Sequence, residues 1–292
     1  MSTPSPLRIA VLGDVHGHLT LAFRLLRRWQ DETGHELDLI LQVGDLGAFP
    51  PPFRLDDATR RFAEHDPDEL GFAEYYEGGP EAAEVFGPDA SSRAIAAPFW
   101  FIKGNHEDFE FLDEVGRNAS QPVPVDAFGA VHYLPSGRVY ELSRRGIAIR
   151  IGVLGGISQA SPNPVSEHYT AHEVRTLARA SFDILLSHEP PAGAASVVHP
   201  KYQGGSSEVA ELIYRHRPRL HFCGHLHEPG QLLPSVDGVR SFLLNAVSFL
   251  RANRLNPGCI AIVAWSGPDE IEVELLDAPW LRDYTRHSWR HR

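Results

Sequence analysis

Five short polar clusters carry the side chains that bind metals or move protons: Asp14-x-His16, Gly44-Asp45, Gly104-Asn105-His106, His188 and His225-x-His227. Together they offer carboxylates, imidazoles and one amide, with no thiolate. A mixed nitrogen and oxygen donor set of this kind suits borderline divalent ions such as Mn²⁺, Fe or Zn²⁺. Glycine recurs beside the clusters, at Gly13, Gly44, Gly104 and Gly224. It permits tight turns and a close backbone approach to a metal or a phosphate. Taken singly each cluster is weak, because an Asp after a strand or a lone Gly-Asn-His reads equally well as a turn. The combination is what points to metal chemistry.

The elements that must position these residues are short apolar runs. "LRIAVLG" leads into "DVHG", "LDLILQV" into "GDLG", "APFWFIK" into "GNHE", "FDILLS" into "HEPP" and "RLHFC" into "GHLHE". Continuous runs rich in Val, Ile, Leu and Phe are expected of strands buried on both faces. The clusters then lie past the C-terminal ends of strands, the edge at which open α/β sheets bind ligands. Helices are predicted over "LTLAFRLLRRWQDETG" with Gly34 as its stop, over "TAHEVRTLARA" with the capping-box spacing Thr170 to Glu173, and over "SSEVAELIYRHRP" with Ser206 or Ser207 as cap. "VHYLPSGRVYEL" reads as a hairpin through Ser136-Gly137, and "RSFLLNA", "CIAIVAW" and "IEVELL" read as later strands. A βαβ first half thus passes into a region of β–β connections. With no internal repeat or low-complexity linker, one mixed α/β domain spanning 1–292 fits better than two.

Two segments break this rhythm. Residues 50–97 form an acidic insertion of short helical pieces between the second and third strands; eleven acids against two arginines between Asp56 and Asp89 carry most of the net charge of −11. It is expected to be a solvated surface feature, with Phe53, Phe62, Phe72, Tyr75 and Tyr76 packing back on the domain. The C-terminal tail, 280–292, is basic and aromatic, a composition that can touch nucleic acid but reads first as a frayed, solvated end. No apolar run approaches the roughly 20 residues of a membrane-spanning helix, and the start lacks a signal-peptide pattern. Cys223 and Cys259 are too few for a disulfide framework, so a reducing cytoplasm is the expected location and Cys223 a buried structural thiol. Of the remaining histidines, His18 is close enough to Asp14 to face the site but is expected first at a surface helix start, and His168, His172 and His199 in solvated loops or helices.

In this order the clusters resemble the calcineurin-like metallophosphoesterase family, whose pattern D-x-H … G-D … G-N-H-[DE] … H … G-H-x-H is matched at every position between residues 14 and 227. The resemblance implies an α/β (α+β) fold, a four-layer α-β-β-α sandwich of two mixed sheets. It also implies two divalent metals, one held by Asp14, His16, Asp45 and His227, the other by Asp45, Asn105, His188 and His225, with Asp45 bridging. Two such ions against two carboxylates leave a positive site that attracts a phosphate ester and lowers the pKa of a bridging water. The implied reaction is hydrolysis by that hydroxide, with His106 protonating the leaving oxygen and Glu107 orienting His106. The substrate is a phosphate ester, with nucleic acid and nucleotides among the candidates; nothing indicates a membrane, and the oligomeric state stays open.

A narrower resemblance, over about residues 8–230, is to the catalytic domain of the RNA lariat debranching enzyme. It rests on the insertion with "GFAEYYEGG" and on "VHYL…GIAIRIGVLGGIS". The chain departs from that pattern in its first motif, Asp-x-His, where the well-known eukaryotic enzymes have Cys at the second position, in "SHEPP", and in Gly224. Phosphodiester hydrolysis is therefore the leading expectation. A phosphatase of monoesters, phosphoproteins or nucleoside polyphosphates, and a non-catalytic scaffold, remain as alternatives. The loop 155–169 would lie beside the metals, with Ser158 and His168 as candidate substrate contacts.

Overall fold

The computed structural model describes residues 5–87, 90, 94–158, 166–194, 204–235, 237–249 and 253–292. The first sheet contains β1 (Leu7–Leu12), β2 (Leu39–Gln42), β3 (Phe99–Phe101), β4 (Val123–Pro124), β5 (Val131–Tyr133), β12 (Ile260–Gly267) and β13 (Glu270–Leu275), in the order β13-β12-β1-β2-β3-β5-β4. The second contains β6 (Arg138–Arg144), β7 (Ile147–Leu154), β8 (Ile184–Ser187), β9 (Leu220–Cys223), β10 (Gln231–Leu232) and β11 (Arg240–Leu243), in the order β10-β11-β9-β8-β7-β6. Each sheet has a parallel centre, β1-β2-β3-β5 and β11-β9-β8-β7, flanked by antiparallel strands.

The continuous apolar runs follow from this layering. Successive side chains of a strand point to opposite faces, and here both faces are covered. In β1, Leu7, Ile9 and Val11 enter the core between the sheets, while Ala10 and Leu12 enter a second core under helices. In β3, Trp100 faces the other sheet, and Phe99 and Phe101 face the helices. In β8, Ile184 and Leu186 face the other sheet and Leu185 the opposite helical layer.

Among the described residues the α-helices are α1 (Leu19–Thr33), α2 (Asp57–Ala63), α3 (Phe72–Glu77), α4 (Pro80–Phe86), α5 (Phe109–Gly116), α6 (Ala171–Leu177) and α7 (Ser207–His216). Helix α1 buries Leu19, Ala22, Phe23, Leu26 and Trp29 on one stripe and ends at Gly34 in the left-handed region, as the sequence predicts. Helix α6 has the Thr170–Glu173 capping box, and α7 is capped by Ser206. The result is a four-layer α-β-β-α sandwich of two mixed sheets.

Three expectations are corrected. "VHYLPSGRVYEL" is not a hairpin: β5 belongs to the first sheet and β6 to the second, so residues 134–137 carry the chain from one layer to the other. The true hairpin joins β6 to β7 through Arg145-Gly146, both at positive φ, as a two-residue turn matched to strand twist requires. A Ser-Gly pair signals a turn but not which sheet follows it.

The acidic segment between β2 and β3 is not simply solvated. Phe72, Tyr75, Ala82 and Val85 are buried in the core beneath α1, where the Phe23 ring lies tilted against Tyr75 and edge-on to Phe86. Thr20 hydrogen-bonds Tyr75 and donates to Glu81 at 2.7 Å. Phe53 and Phe62 remain exposed, while Tyr76, though 40% exposed, sets its ring edge-on to Phe111 at 5.8 Å, so the expected packing holds for three of the five aromatics.

The C-terminal tail is not frayed. Trp289 is 3% exposed, and the Arg24 and Arg290 guanidinium groups lie 5.7 and 4.2 Å from its ring. Arg290 pairs with Asp68, and Arg286 lies 3.6 Å from Asp66, so the basic tail clasps the acidic segment. Among the described residues no helix is long and apolar enough to cross a membrane. Trp289→Ala is expected to lower unfolding free energy by about 3 kcal/mol in urea titration, as loss of a buried indole does. A frayed tail would show no change.

Candidate metal centre

The five clusters meet where the parallel centres of both sheets end. Asp14 and His16 follow β1, Asp45 follows β2, Asn105 and His106 follow β3, His188 follows β8, and His225 and His227 follow β9. Main-chain bonds lash these loops together: Val15 and His16 N–H donate to Asp45 O, and Gly224 N–H donates to His188 O. His188 Nδ1 donates to Val43 O at 3.0 Å, crossing from one sheet to the other.

The two carboxylates are held by the backbone of motifs far away in sequence. Asp45 Oδ1 accepts from the N–H groups of Asn105 (2.6 Å) and His106 (2.7 Å). Asp45 Oδ2 stays directed at imidazoles, 3.4 Å from His188 Nε2 and 3.8 Å from His16 Nε2. Asp14 accepts from His225 N–H and lies 2.9 Å from His227 Nε2. The glycines make room for this. A Cβ on Gly104 would lie 2.1 Å from Asp45 Oδ1, and one on Gly224 the same distance from Asp14 Oδ1. Their close approach is thus to the ligand carboxylates.

The donor geometry fits a divalent cation. Asp14, His16, Asp45 and His227 each offer an atom, all within 4.8 Å of one another. Opposite donors of one ion, each ~2.1 Å from it, span ~4 Å. His16 Nε2 and His227 Nε2 are 3.0 Å apart and share one space. On the other side of Asp45, Asn105 Oδ1 lies 2.9 Å from His188 Nε2, and the His225 ring lies 5.0 Å from that of His188. The seven residues expected as ligands are therefore brought together, and Asp14, His16, Asp45 and His227 form a group of cation size.

The electrostatics point the same way. Burial raises Asp14 and Asp45, yet the neighbouring histidines outweigh it and hold Asp14 below and Asp45 well below the usual carboxylate range. Burial pulls His16 and His225 down to about 4, leaving neutral imidazoles with lone pairs to donate. Burial also works against a charged His188, but Asp45 and Asp14 prevail and hold it up to about 9. Two buried carboxylates demand positive charge, and the pocket recruits protons to supply it. Four of the nine described non-glycine residues at positive φ are His16, Asp45, His225 and His227. Such backbone costs about 1–3 kcal/mol per residue and gathers at functional sites.

Residues 7–229 match the calcineurin-like phosphoesterase family. The chain belongs to that family. This calcineurin-like phosphoesterase is 25% identical, over a 316-residue alignment, to a lariat debranching enzyme of Arabidopsis thaliana, covering 94% of this chain and 67% of the plant protein. Two solved structures share its fold. One is TT1561 of Thermus thermophilus, with TM-score 0.51 and 16% identity over 93% of this chain and 99% of the other. The second is GAP50, the anchor in the inner membrane complex of Plasmodium, with TM-score 0.51 and 13% identity over 94% and 89%. Membership makes the phosphoesterase a hydrolase of phosphate-ester bonds, in a family that typically binds a divalent metal pair.

His106 stands beside the ligands, its ring 5.7 Å from that of His16. Glu107 does not orient it. The Glu107 carboxylate is buried and accepts from Leu46 N–H (2.8 Å) and Ala48 N–H (2.6 Å), fixing the loop after Asp45. His106 Nδ1 instead meets Asp56 Oδ2 at 3.2 Å. Asp56 is the N-cap of α2, pinned by Ala58 N–H, Thr59 N–H and the Thr59 hydroxyl. Its one signal in the sequence is "DDAT", an ordinary helix cap.

Gln42 also goes unannounced: at the end of β2 its side chain donates to Gly13 O and Gly44 O and accepts from Gly44 N–H, stitching the first two loops. His18 is buried, not on the surface; its Nδ1 donates to backbone carbonyls and its Nε2 lies 3.4 Å from Asp66. Ser158 bonds Glu189 and His168 bonds Ser158 O; residues 159–165 of their loop, and His199, lie outside the described residues. Cys223 is a buried free thiol, as expected.

Burial lowers His106, but the hydrogen bond to Asp56 and the charge of Asp45 hold it up to about 9. In Asp56→Asn that support is lost while burial remains, so the imidazole of the metal-free chain should titrate at least one unit lower by NMR. An unchanged titration would show that Asp56 does not govern His106.

Proposed function

We propose that the chain hydrolyses phosphodiesters at a dinuclear metal site, with His106 as general acid. One cation would be held by Asp14, His16, Asp45 and His227 and the other by Asp45, Asn105, His188 and His225. When bound, such a pair supplies Lewis acidity, polarising phosphoryl oxygens and lowering the pKa of water toward neutrality. The remaining work falls to the protein. The Asn105 and His106 N–H groups hold Asp45 Oδ1 and leave Oδ2 directed at His16 and His188. Asp56 takes up His106 Nδ1 and leaves the other ring nitrogen for proton transfer. A water oxygen bonds to phosphorus as the ester phosphorus–oxygen bond breaks; the leaving oxygen takes the His106 proton and departs as an alcohol, and the proton given up by the water restores His106.

The observation that carries the diester reading is the likeness to a lariat debranching enzyme over 94% of this chain. A cavity of about 280 Å³, lined by His16, His106 and His227 together with residues of α2 and the following turn, gives one ester substituent a place beside the reacting phosphate. A borderline donor set keeps Mn²⁺, Fe and Zn²⁺ as candidates.

With Mn²⁺, kcat/KM for bis-p-nitrophenyl phosphate is expected to exceed that for p-nitrophenyl phosphate, and dinucleotides linked 2′,5′ or 3′,5′ to be cleaved. Preference for the monoester would replace the diesterase with a phosphatase. His106→Ala should lose about 10²–10⁴-fold on dinucleotides, whose alkoxide needs a proton, and far less on p-nitrophenolate esters. Equal losses on both would remove the general-acid role.

A further inference from the structure

The cavity beside the candidate metal centre has a composition that selects what enters it. Helix α2 contributes Phe62, 61% exposed, which makes no ring contact with another aromatic side chain among the described residues. The turn at Pro67–Leu70 contributes Glu69. Among the described residues its carboxylate has no hydrogen-bond or ion-pair partner, although it is partly withdrawn from water. On the opposite wall stand Ser248 and Phe249. Ser248 Oγ accepts from Asn256 Nδ2, which leaves the hydroxyl proton free to donate. The other charged groups nearby are already matched, Asp66 with His18 and Arg286.

From these features we propose that the cavity is a nucleoside subsite, in which Phe62 stacks on the base and Glu69 accepts hydrogen bonds from base N–H or ribose O–H groups. The proposal rests on the diesterase reading for which ester the nucleoside belongs to. An aliphatic or acyl substituent would leave the Glu69 carboxylate enclosed without a donor, a costly arrangement. A flat heterocycle with N–H groups satisfies the aromatic face and the carboxylate together. At about 280 Å³ the cavity falls just under the roughly 300–1,000 Å³ of small-molecule sites, a size that suits a single nucleoside. Stacking on an aromatic side chain tolerates any base, so this subsite distinguishes nucleosides from other alcohols without reading sequence.

The test is calorimetric titration of the full chain with Mn²⁺ present. The probe is the phosphonate analogue of adenosine 5′-monophosphate, whose P–C bond resists hydrolysis, compared with the same ribose phosphonate lacking its base. The base should tighten binding about tenfold or more. Phe62→Ala, which removes an exposed side chain, and Glu69→Gln, which keeps its shape, should each shrink that ratio at least threefold. Equal binding of the two probes to the unaltered chain, no binding of either at millimolar concentration, or a ratio untouched by both substitutions would overturn the subsite. Turnover of bis-p-nitrophenyl phosphate by the same preparation separates the two claims. Base preference without turnover sinks the diesterase alone, and turnover without base preference sinks the subsite alone.

Discussion

Two carboxylates, Asp14 and Asp45, are buried side by side at the ends of adjacent parallel strands, and the rest of the site answers that constraint. Both are almost completely inaccessible to water. Burying one ionised carboxylate is costly, and burying two together adds their repulsion. The protein compensates in three ways. Backbone N–H groups of the third and fifth motifs bind the carboxylates directly. Imidazoles surround them. The oxygens left over converge with the imidazoles of His16 and His227 on a space of cation size. A buried charge cluster so arranged is a poor device for stability and a good one for holding metal.

The sandwich makes the arrangement possible. Asp14, Asp45 and Asn105 come from the first sheet, and His188, His225 and His227 from the second. The core between the sheets brings those edges together, and the bond from His188 to Val43 O locks them at the site itself. Left-handed backbone at four of the seven residues proposed as ligands re-aims side chains that strand ends alone would point elsewhere. The acidic segment and the C-terminal tail then build one wall beside this rigid centre. The segment supplies Asp56 to His106, while the tail's arginines neutralise its acids and pack it down.

Much of this was legible in the sequence because strand periodicity and motif spacing are local signals. The five apolar runs became strands, and every expected ligand came to the same edge. What local pattern could not convey was pairing across layers. Ser136-Gly137 looks like a hairpin turn, but the chain there changes sheets. Glu107 sits beside His106 in sequence, yet its carboxylate turns back to Leu46 and Ala48, while Asp56, fifty residues earlier, reaches the imidazole. The acidic stretch hid its apolar face because Phe72, Tyr75, Ala82 and Val85 are spread over two short helices, each too brief for a clear 3.6-residue period. The basic tail looked solvated because its partners, Asp66, Asp68 and Arg24, are distant in the chain.

Anomalous scattering from Mn²⁺-soaked crystals of the chain would locate the two cations that Asp45 is proposed to join between the sheets. Two peaks are expected beside Asp45, one among Asp14, His16 and His227 and the other among Asn105, His188 and His225. A single peak, or strong occupancy at His18 and Asp66 with none at Asp45, would contradict that bridge.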